Sequence, residues 1–268
     1  MREADVCSDV YSVPRFREAF MRSVRIVVDP RELARAGAEE FVRFSREAME
    51  ARGSFSVALA GGSTPRALYT VLADRREPFF DHVAWDRVRF FFGDERHVPP
   101  DHPDSNYRMA YDTLLSKIPI RPGNVARFYS EGEDVAFVAS YYETLLRNAF
   151  QVGPGDVPRF DLVLLGMGED GHTASLFPGS DTLHEAEKLA TASWIEKLGA
   201  HRFTLTPPVL NRAAHVVFLV SGEGKAATLR EVLEGEHRPE RFPARIVQPS
   251  DGTVLWLVDR EAGRLLQG

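Results

Sequence analysis

The chain of 268 residues carries 33 lysines and arginines against 39 aspartates and glutamates, which gives a formal net charge of −6 at pH 7. Its hydrophobic fraction of 44% and charged fraction of 27% are typical of globular proteins and exclude disorder, collagen-like repeats and coiled coil as descriptions of the whole chain. An acidic chain repels nucleic-acid backbones and anionic membranes, so we expect neither as a partner and expect a phosphorylated ligand only at a local positive site.

The N-terminal segment has no targeting signal that the sequence makes visible. The first twenty residues lack the apolar run of a secretory signal, and their acids are atypical of a transit peptide. We therefore expect residues 1–22 to be a disordered extension, or translation to begin at Met21, and residues 23–268 to form one domain. The single cysteine, Cys7, excludes an internal disulfide and a cysteine-based metal cluster, which favours the reducing cytoplasm.

From Val24 onward, short apolar runs alternate with longer stretches of helical periodicity. Strands are predicted over Val24–Val28, Phe55–Ala60, Val88–Phe92, Phe160–Leu165, His215–Val220 and Thr253–Val258. Helices are predicted over about 33–53, 65–73, 107–117, 134–150 and 225–233, with a short one at the C-terminal end. This alternation predicts a single three-layer αβα domain with a mostly parallel, doubly wound (Rossmann-like) sheet. Ligands of such sheets bind beyond the carboxyl ends of the strands, where four loops stand out.

The first loop, Gly61–Pro65, leaves the second predicted strand and opens a helix. Its glycines allow close approach of a ligand, Ser63 or Thr64 suits a helix N-cap, and Pro65 suits the first turn. The free N–H groups and the helix dipole then form an anion site, although a well-capped turn without a ligand explains the same residues. The loop has neither the lysine of a Walker motif nor the Gly-x-Ser-x-Gly of a nucleophile elbow.

The second loop, Gly93–Pro99, follows the aromatic third strand. Asp94, Glu95, Arg96 and His97 place two acids, a guanidinium and an imidazole at the carboxyl end of a strand. Such a set is hard to explain by packing, and a solvated turn with a structural ion pair is the alternative.

The third loop, Gly166–Thr173, contains Gly-x-Gly-x-x-Gly directly after a strand, the pattern of a dinucleotide-binding turn. Glu169 and Asp170 would oppose a pyrophosphate there, Pro178 ends any following helix early, and the motif lies late in the chain. We favour a catalytic loop whose glycines expose His172. An imidazole can act as a base near neutral pH, and Asp170 is close enough to orient the ring.

The fourth region runs from Arg202 to Lys225. Arg202 precedes a helix that begins with proline, and Lys225 lies where a strand turns into a helix. The Lys225 ammonium and the first N–H groups of that helix could share one phosphate. By itself, a lysine at a helix start is usually only solvated.

Together, these loops resemble the 6-phosphogluconolactonase family, within the wider glucosamine-6-phosphate isomerase/deaminase-like superfamily. The run His172–Pro178 is the most specific part of the resemblance. The matching segments are Ala60–Pro65, Phe92–Pro99 with Asp104–Tyr107, Asp161–Gly179 and Arg202–Lys225. The resemblance implies hydrolysis of 6-phospho-D-glucono-1,5-lactone to 6-phosphogluconate in the oxidative pentose phosphate pathway. It also implies that no metal or other cofactor is required, and it is compatible with a monomer or a small homo-oligomer.

The resemblance also implies roles for single residues. His172 would be the general base that activates water. The 6-phosphate would be held by Gly62, Ser63, Thr64, Arg202 and Lys225. Asp94 and Arg96 would line the lactone, with Arg96 serving either the developing oxyanion or the phosphate.

Two other functions are weighed against lactone hydrolysis. The reaction of a glucosamine-6-phosphate isomerase or deaminase resembles a proton shuttle. It uses a ring-opening histidine and a further carboxylate shortly after that histidine in the sequence. Here Ala174–Phe177 follow His172 and Thr173, and no acid appears before Asp181, so the lactonase is favoured. A non-catalytic sugar-phosphate sensor would need a DNA-binding module, for which the N-terminal twenty residues are too short.

Overall fold

The computed structural model describes residues 10–12 and 20–267. At its N-terminal end, β1 (Val10–Ser12) pairs antiparallel with β2 (Phe20–Val27). This differs from the predicted disordered extension over residues 1–22, because residues 10–12 and 20–22 lie in strands. Backbone hydrogen bonds between the strands stabilise them there, although these segments contain no apolar run. The remaining residues of that extension lie outside the described part of the chain. The second strand begins at Phe20, whereas the sequence pattern predicts its start at Val24.

The rest of the described chain alternates strands and helices. The further strands are β3 (Phe55–Leu59), β4 (Val88–Phe92), β5 (Asp94–Arg96), β6 (Leu162–Leu165), β7 (Ala190–Ile195), β8 (Ala200–Leu205), β9 (His215–Val220) and β10 (Gly252–Asp259). The helices are α1 (Pro30–Arg52), α2 (Ser63–Ala73), α3 (Asn106–Thr113), α4 (Val135–Phe150), α5 (Pro207–Leu210), α6 (Ala226–Glu234) and α7 (Arg260–Gly263). Within residues 10–12 and 20–267, no helix has both the length and the apolarity that crossing a bilayer requires.

The larger sheet sets the position of the ligand crevice. Its order is β1-β2-β10-β9-β6-β3-β4, and every neighbouring pair except β1 and β2 runs parallel. The chain moves outward from β3 to β4 and then returns to β6 on the other side of β3. In a doubly wound sheet, such a reversal opens a crevice at the carboxyl ends of the strands. The predicted α/β fold with a mostly parallel, doubly wound sheet is confirmed.

The central strands and two tyrosines hold the floor of that crevice. β3 and β6 are buried along their whole length, as expected for strands covered on both faces. The hydroxyl of Tyr69 donates to the carbonyl of Ala60 and accepts from its N–H, both at 2.9 Å. The Tyr142 hydroxyl makes the same pair of bonds with Phe92, at 3.0 and 2.8 Å. These buried hydroxyls fix the ends of β3 and β4, from which the first two loops depart.

A second, three-stranded antiparallel sheet with the order β5-β8-β7 stands beside the first. Gly93 connects the two sheets: its N–H donates to the Leu59 carbonyl at 2.9 Å, and its carbonyl accepts from the Leu205 N–H at 2.8 Å. The sequence pattern predicts a loop over Gly93–Pro99. Three charged residues in a row lack the apolar alternation of a half-buried strand, so the pattern misses β5.

Candidate active site

A cleft of about 210 Å³ opens at the carboxyl ends of β3, β4, β6 and β9. Five of the predicted site residues line it, namely Gly62, Asp94, Arg96, His172 and Lys225. Asp170 lies behind His172, Ser63 and Thr64 follow Gly62 in α2, and Arg202 lies opposite Arg96 in the β5–β8 ladder. Loops that are far apart in the sequence therefore meet at the reversal of the sheet order.

The loop after β6 folds tightly around His172. The Gly168 N–H donates to the His172 carbonyl at 2.8 Å, and Gly171 adopts a left-handed φ of 81°. A Cβ on Gly168 would lie 2.0 Å from Nδ1 of His172, so only glycine leaves room for the ring. The glycines of this loop thus serve the histidine.

The His172 ring is held on its edge and on its face. Oδ1 of Asp170 lies 2.5 Å from Nδ1 of His172 and also accepts from the His172 backbone N–H at 3.1 Å. The Phe177 ring stacks on the imidazole, with centroids 4.3 Å apart and planes inclined by 27°. Nε2 makes no hydrogen bond with any residue that the structure describes.

The Asp170 carboxylate is strongly held in its charged form. Burial alone would raise its pKa, but hydrogen bonds from His172 and Lys197 outweigh burial and hold the pKa well below the usual range. The Lys197 ammonium pairs with Oδ2, the oxygen that His172 does not use. Asp170 is therefore a charged acceptor for the Nδ1–H of His172 throughout the neutral range.

Asp94 is the second carboxylate of the cleft and is 9% exposed. Its Oδ1 accepts from Nδ2 of Asn106 at 3.0 Å, and its Oδ2 accepts from the Ser175 hydroxyl at 2.8 Å. Asn106 packs so closely over Gly61 that a Cβ there would lie 1.9 Å from the amide oxygen. The Asp94 carboxylate is thus fixed in one orientation at the cleft wall.

Glu95, the neighbouring acid, points away from the cleft and is 1% exposed. Its carboxylate accepts from the backbone N–H groups of Arg96, Asn106 and Tyr107, each at 2.8 Å, and from the Ser105 hydroxyl at 3.1 Å. Burial raises the pKa of Glu95, against these hydrogen bonds. Glu95 therefore fastens the start of α3 to β5, which brings Asn106 against Asp94.

Three cations of the region have no acidic partner. Within residues 10–12 and 20–267, Arg96, Arg202 and Lys225 form no ion pair. Arg96 and Arg202 face each other across the β5–β8 ladder. Burial, followed by the positive charge of Arg96, lowers the pKa of Arg202. Asp94, Asp104 and Glu95 act on Arg202 in the opposite direction, but neither guanidinium forms an ion pair with a carboxylate that the structure describes. The two guanidiniums together therefore form a local positive site that favours an anion.

The start of α2 differs in one detail from its prediction. The N-cap residue is Gly62, with φ 103°, and no side chain caps the helix. Ser63 and Thr64 already belong to the first turn, whereas the sequence analysis assigns the cap to one of them. An uncapped helix start leaves backbone N–H groups available to an anion, so this turn keeps the chemistry expected of it.

Four residues that shape the site were given no role by sequence reasoning. Glu95, Asn106 and Ser175 lie inside the noted segments, but their hydrogen-bond partners are distant in the chain. Lys197 lies in a segment without any motif. The sequence signal for Glu95 was a second acid beside Asp94 directly after a predicted strand.

The fold and the cleft define a doubly wound α/β protein that combines a histidine–carboxylate pair with cations that form no ion pair in the described part of the chain. Residues 28–256 match the family model described as glucosamine-6-phosphate isomerases/6-phosphogluconolactonase. The chain belongs to this family, as the sequence resemblance predicts.

The chain is also similar to curated proteins and solved structures over most of its length. It is 42% identical over 221 residues to a 6-phosphogluconolactonase of Synechocystis sp., covering 82% of this chain and 88% of that protein. It is 40% identical over 246 residues to 6-phosphogluconolactonase of Rattus norvegicus, covering 91% and 93%. The structure of 6-phosphogluconolactonase from Trypanosoma cruzi superposes with a TM-score of 0.82 at 29% identity, covering 95% of this chain and 100% of that one. A monomeric glucosamine-6-phosphate deaminase, at 22% identity and a TM-score of 0.72, shares the fold.

Proposed function

We propose that this protein hydrolyses 6-phospho-D-glucono-1,5-lactone to 6-phosphogluconate, a step of the oxidative pentose phosphate pathway. The observation that carries the proposal is the 2.5 Å contact between Asp170 and His172 in a cleft that is also lined by Arg96 and Lys225, which form no ion pair with any residue that the structure describes. The similar proteins named 6-phosphogluconolactonase, at about 40% identity and high coverage, support the same reaction. A single cysteine and the acidic composition fit our proposal of a cytoplasmic enzyme that acts on a small molecule.

The proposed chemistry begins at His172. Because Nδ1 donates to the Asp170 carboxylate, Nε2 is the ring nitrogen left to accept a proton. Nε2 removes a proton from water as the water oxygen bonds to the lactone carbonyl carbon, giving a tetrahedral oxyanion. The oxyanion then collapses and the bond to the ring oxygen breaks. The ring oxygen takes the proton from Nε2, and the acid product is formed with His172 neutral again.

The remaining groups hold the substrate in this proposal. Arg96, which lines the cleft and lies beside Arg202, serves either the developing oxyanion, an effect of about 10²–10³-fold for one well-placed donor, or the phosphate. Asp94, held by Asn106 and Ser175, accepts from sugar hydroxyls. The 6-phosphate binds Arg202, Lys225 and the uncapped start of α2, which is formed by Gly62, Ser63 and Thr64.

A coupled assay tests the proposal directly. Freshly generated 6-phosphogluconolactone is supplied, 6-phosphogluconate is oxidised by an NADP-linked dehydrogenase, and spontaneous hydrolysis is subtracted. We expect rapid turnover of the lactone and none of glucosamine 6-phosphate assayed in parallel. Activity on the amino sugar alone would reject the proposal in favour of the isomerase/deaminase reaction.

His172→Ala completes the test. The variant should fold and bind 6-phosphogluconate, but its turnover should fall about 10²–10⁴-fold, which is the usual contribution of a general base. His82→Ala, at an exposed histidine outside the cleft, serves as the matched control and should keep full activity. Full turnover by His172→Ala would remove His172 as the base.

A further inference from the structure

Lys197 lies outside the cleft lining but contacts both groups that hold the His172 ring. Its ammonium forms an ion pair with Oδ2 of Asp170, and its Nζ lies 4.8 Å from the centroid of the Phe177 ring. Oδ1 of Asp170 binds Nδ1 of His172, and Phe177 stacks on the imidazole. Lys197, Asp170 and His172 thus form a continuous chain of charged and polar contacts that ends in the cleft.

The backbone that carries Lys197 is fixed relative to the cleft. The residue lies in the short connection Glu196–Leu198 between β7 and β8, which ends at Gly199 in a left-handed conformation with φ 55°. β8 pairs with β5, the strand of Asp94 and Arg96. The lysine therefore reaches Asp170 from the same small sheet that supplies the opposite part of the site.

We propose that Lys197 is a positioning residue for the base. It holds the Asp170 carboxylate in place and reduces how strongly that carboxylate stabilises the protonated form of His172. The proposal rests on the proposed function of His172. A carboxylate that is shared with an ammonium stabilises an imidazolium less than an unshared one does. Removal of Lys197 would consequently leave Asp170 free to stabilise a proton at His172 more strongly.

The other charges near His172 do not replace this effect. Asp94, Arg96 and Lys225 line the same cleft, and the exposed Glu169 precedes Asp170 in the loop. Asp94 is engaged by Asn106 and Ser175, and Lys197 is the cation that pairs with Asp170 within the described part of the chain. The side chain of Lys197 is 51% exposed, and an ion pair at such a site contributes little to stability. A merely structural pair would therefore leave both turnover and its pH dependence unchanged.

The kinetic test compares Lys197→Met, Lys197→Arg and the control Lys188→Met. Lys188 is likewise exposed and paired, with Glu185 at 3.8 Å, but lies apart from the cleft. In Lys197→Met we expect kcat to fall about tenfold, because an Asp170 carboxylate that is no longer held in place orients the imidazole less well, with KM changed less than about twofold. The acid limb of its kcat/KM profile should move up by about half a pH unit. Lys197→Arg should recover most of kcat, and Lys188→Met should match the parent protein.

A readout that needs no substrate separates this proposal from the proposed function. The ring protons of His172 are followed by NMR during a pH titration of the parent protein and Lys197→Met, with folding checked by circular dichroism. We expect the titration midpoint to lie at higher pH in Lys197→Met. An unchanged midpoint would overturn the role of Lys197 even if the lactone is hydrolysed. A shifted midpoint in a protein without lactonase activity would support Lys197 and reject only the reaction.

Discussion

Oδ1 of Asp170 lies 2.5 Å from Nδ1 of His172, and the same oxygen accepts from the His172 backbone N–H. These contacts fix the tilt of the ring and determine which ring nitrogen is left for the substrate. They follow from a loop of only seven residues, Gly166 to His172, in which Gly168 makes room for the ring and Gly171 supplies a left-handed turn. The charge of Asp170 and the geometry of the loop thus act on one imidazole.

The first prediction concerns Asp170. Asp170→Asn leaves a neutral amide that can present its NH₂ group to Nδ1, so the ring can adopt the tautomer that lacks a free acceptor at Nε2. We expect kcat to fall about 10²–10⁴-fold with a small change in KM, as measured in the coupled assay. Asp251→Asn, at a surface aspartate that pairs with Arg159, is the control and should be fully active. Retention of most activity by Asp170→Asn would contradict the orienting role.

The second prediction concerns the space beside the ring. A Cβ on Gly168 would lie 2.0 Å from Nδ1 and 2.2 Å from Cε1 of His172, and Asp170 and Phe177 prevent the ring from moving away freely. Gly168→Ala should therefore displace the imidazole and reduce kcat by about 10²-fold or more, because a shift of about 1 Å at a reacting group costs that much.

Gly123→Ala is the control for this substitution, since a Cβ there meets nothing within 4 Å. Both alanine variants are compared by steady-state kinetics and thermal unfolding. Gly168→Ala should lose activity out of proportion to any loss of stability. Equal activity of the two variants would show that the ring tolerates displacement.

The third prediction separates binding from chemistry. Lys225 and Arg202 have no acidic partner among the described residues and are proposed to contact the phosphate, which is remote from the reacting carbonyl. Lys225→Met and Arg202→Met should each raise KM about 10- to 100-fold, the value of a charge-assisted hydrogen bond, and change kcat much less. Lys117→Met, on an exposed turn, is the control. An unchanged KM in both Lys225→Met and Arg202→Met would move the phosphate site elsewhere.

The fourth prediction is a pH dependence of stability away from the cleft. His215, at the start of β9, stacks on Phe44 with ring centroids 3.9 Å apart, and its Nδ1 lies 2.8 Å from the Thr253 hydroxyl. Burial is the largest cause that lowers its pKa, to about 4, while Glu47 opposes the shift. Between pH 6.5 and 4 the unfolded chain therefore binds a proton that the folded chain excludes, so stability falls as the pH falls through this range.

His215→Gln removes this proton linkage while it keeps a hydrogen-bonding group near Thr253. Between pH 7 and pH 5, the free energy of unfolding of the parent protein should fall by about 1–2 kcal/mol more than that of the variant, allowing for screening at a partly exposed site. Urea unfolding at both pH values measures the difference. His82→Gln should follow the parent protein. Parallel pH dependences in the parent protein and His215→Gln would refute the linkage.

The parallel sheet is the part of the fold that local pattern predicts best. The runs Val88–Phe92 and His215–Val220 are found as strands with the predicted bounds. Helix α1 follows its periodicity and ends at Arg52, with Gly53 in the left-handed conformation. These elements are predictable because burial on both faces selects unbroken apolar runs, and helix packing selects a 3.6-residue repeat. β1 and all three strands of the smaller sheet, β5, β7 and β8, escaped prediction because their stability comes from partners elsewhere in the chain.

By itself, the sequence determined the residue types of the cleft: a histidine two positions after an aspartate, a glycine-rich turn before a helix, and a lysine at a helix start. Those features are local, and local backbone chemistry decides them. Only the tertiary structure decided that Arg202 lies opposite Arg96, that Ser175 and Asn106 hold Asp94, and that Lys197 reaches Asp170 from 27 residues away. The physical reason is that sheet order and strand pairing bring distant segments together, and no local periodicity encodes which segments will meet.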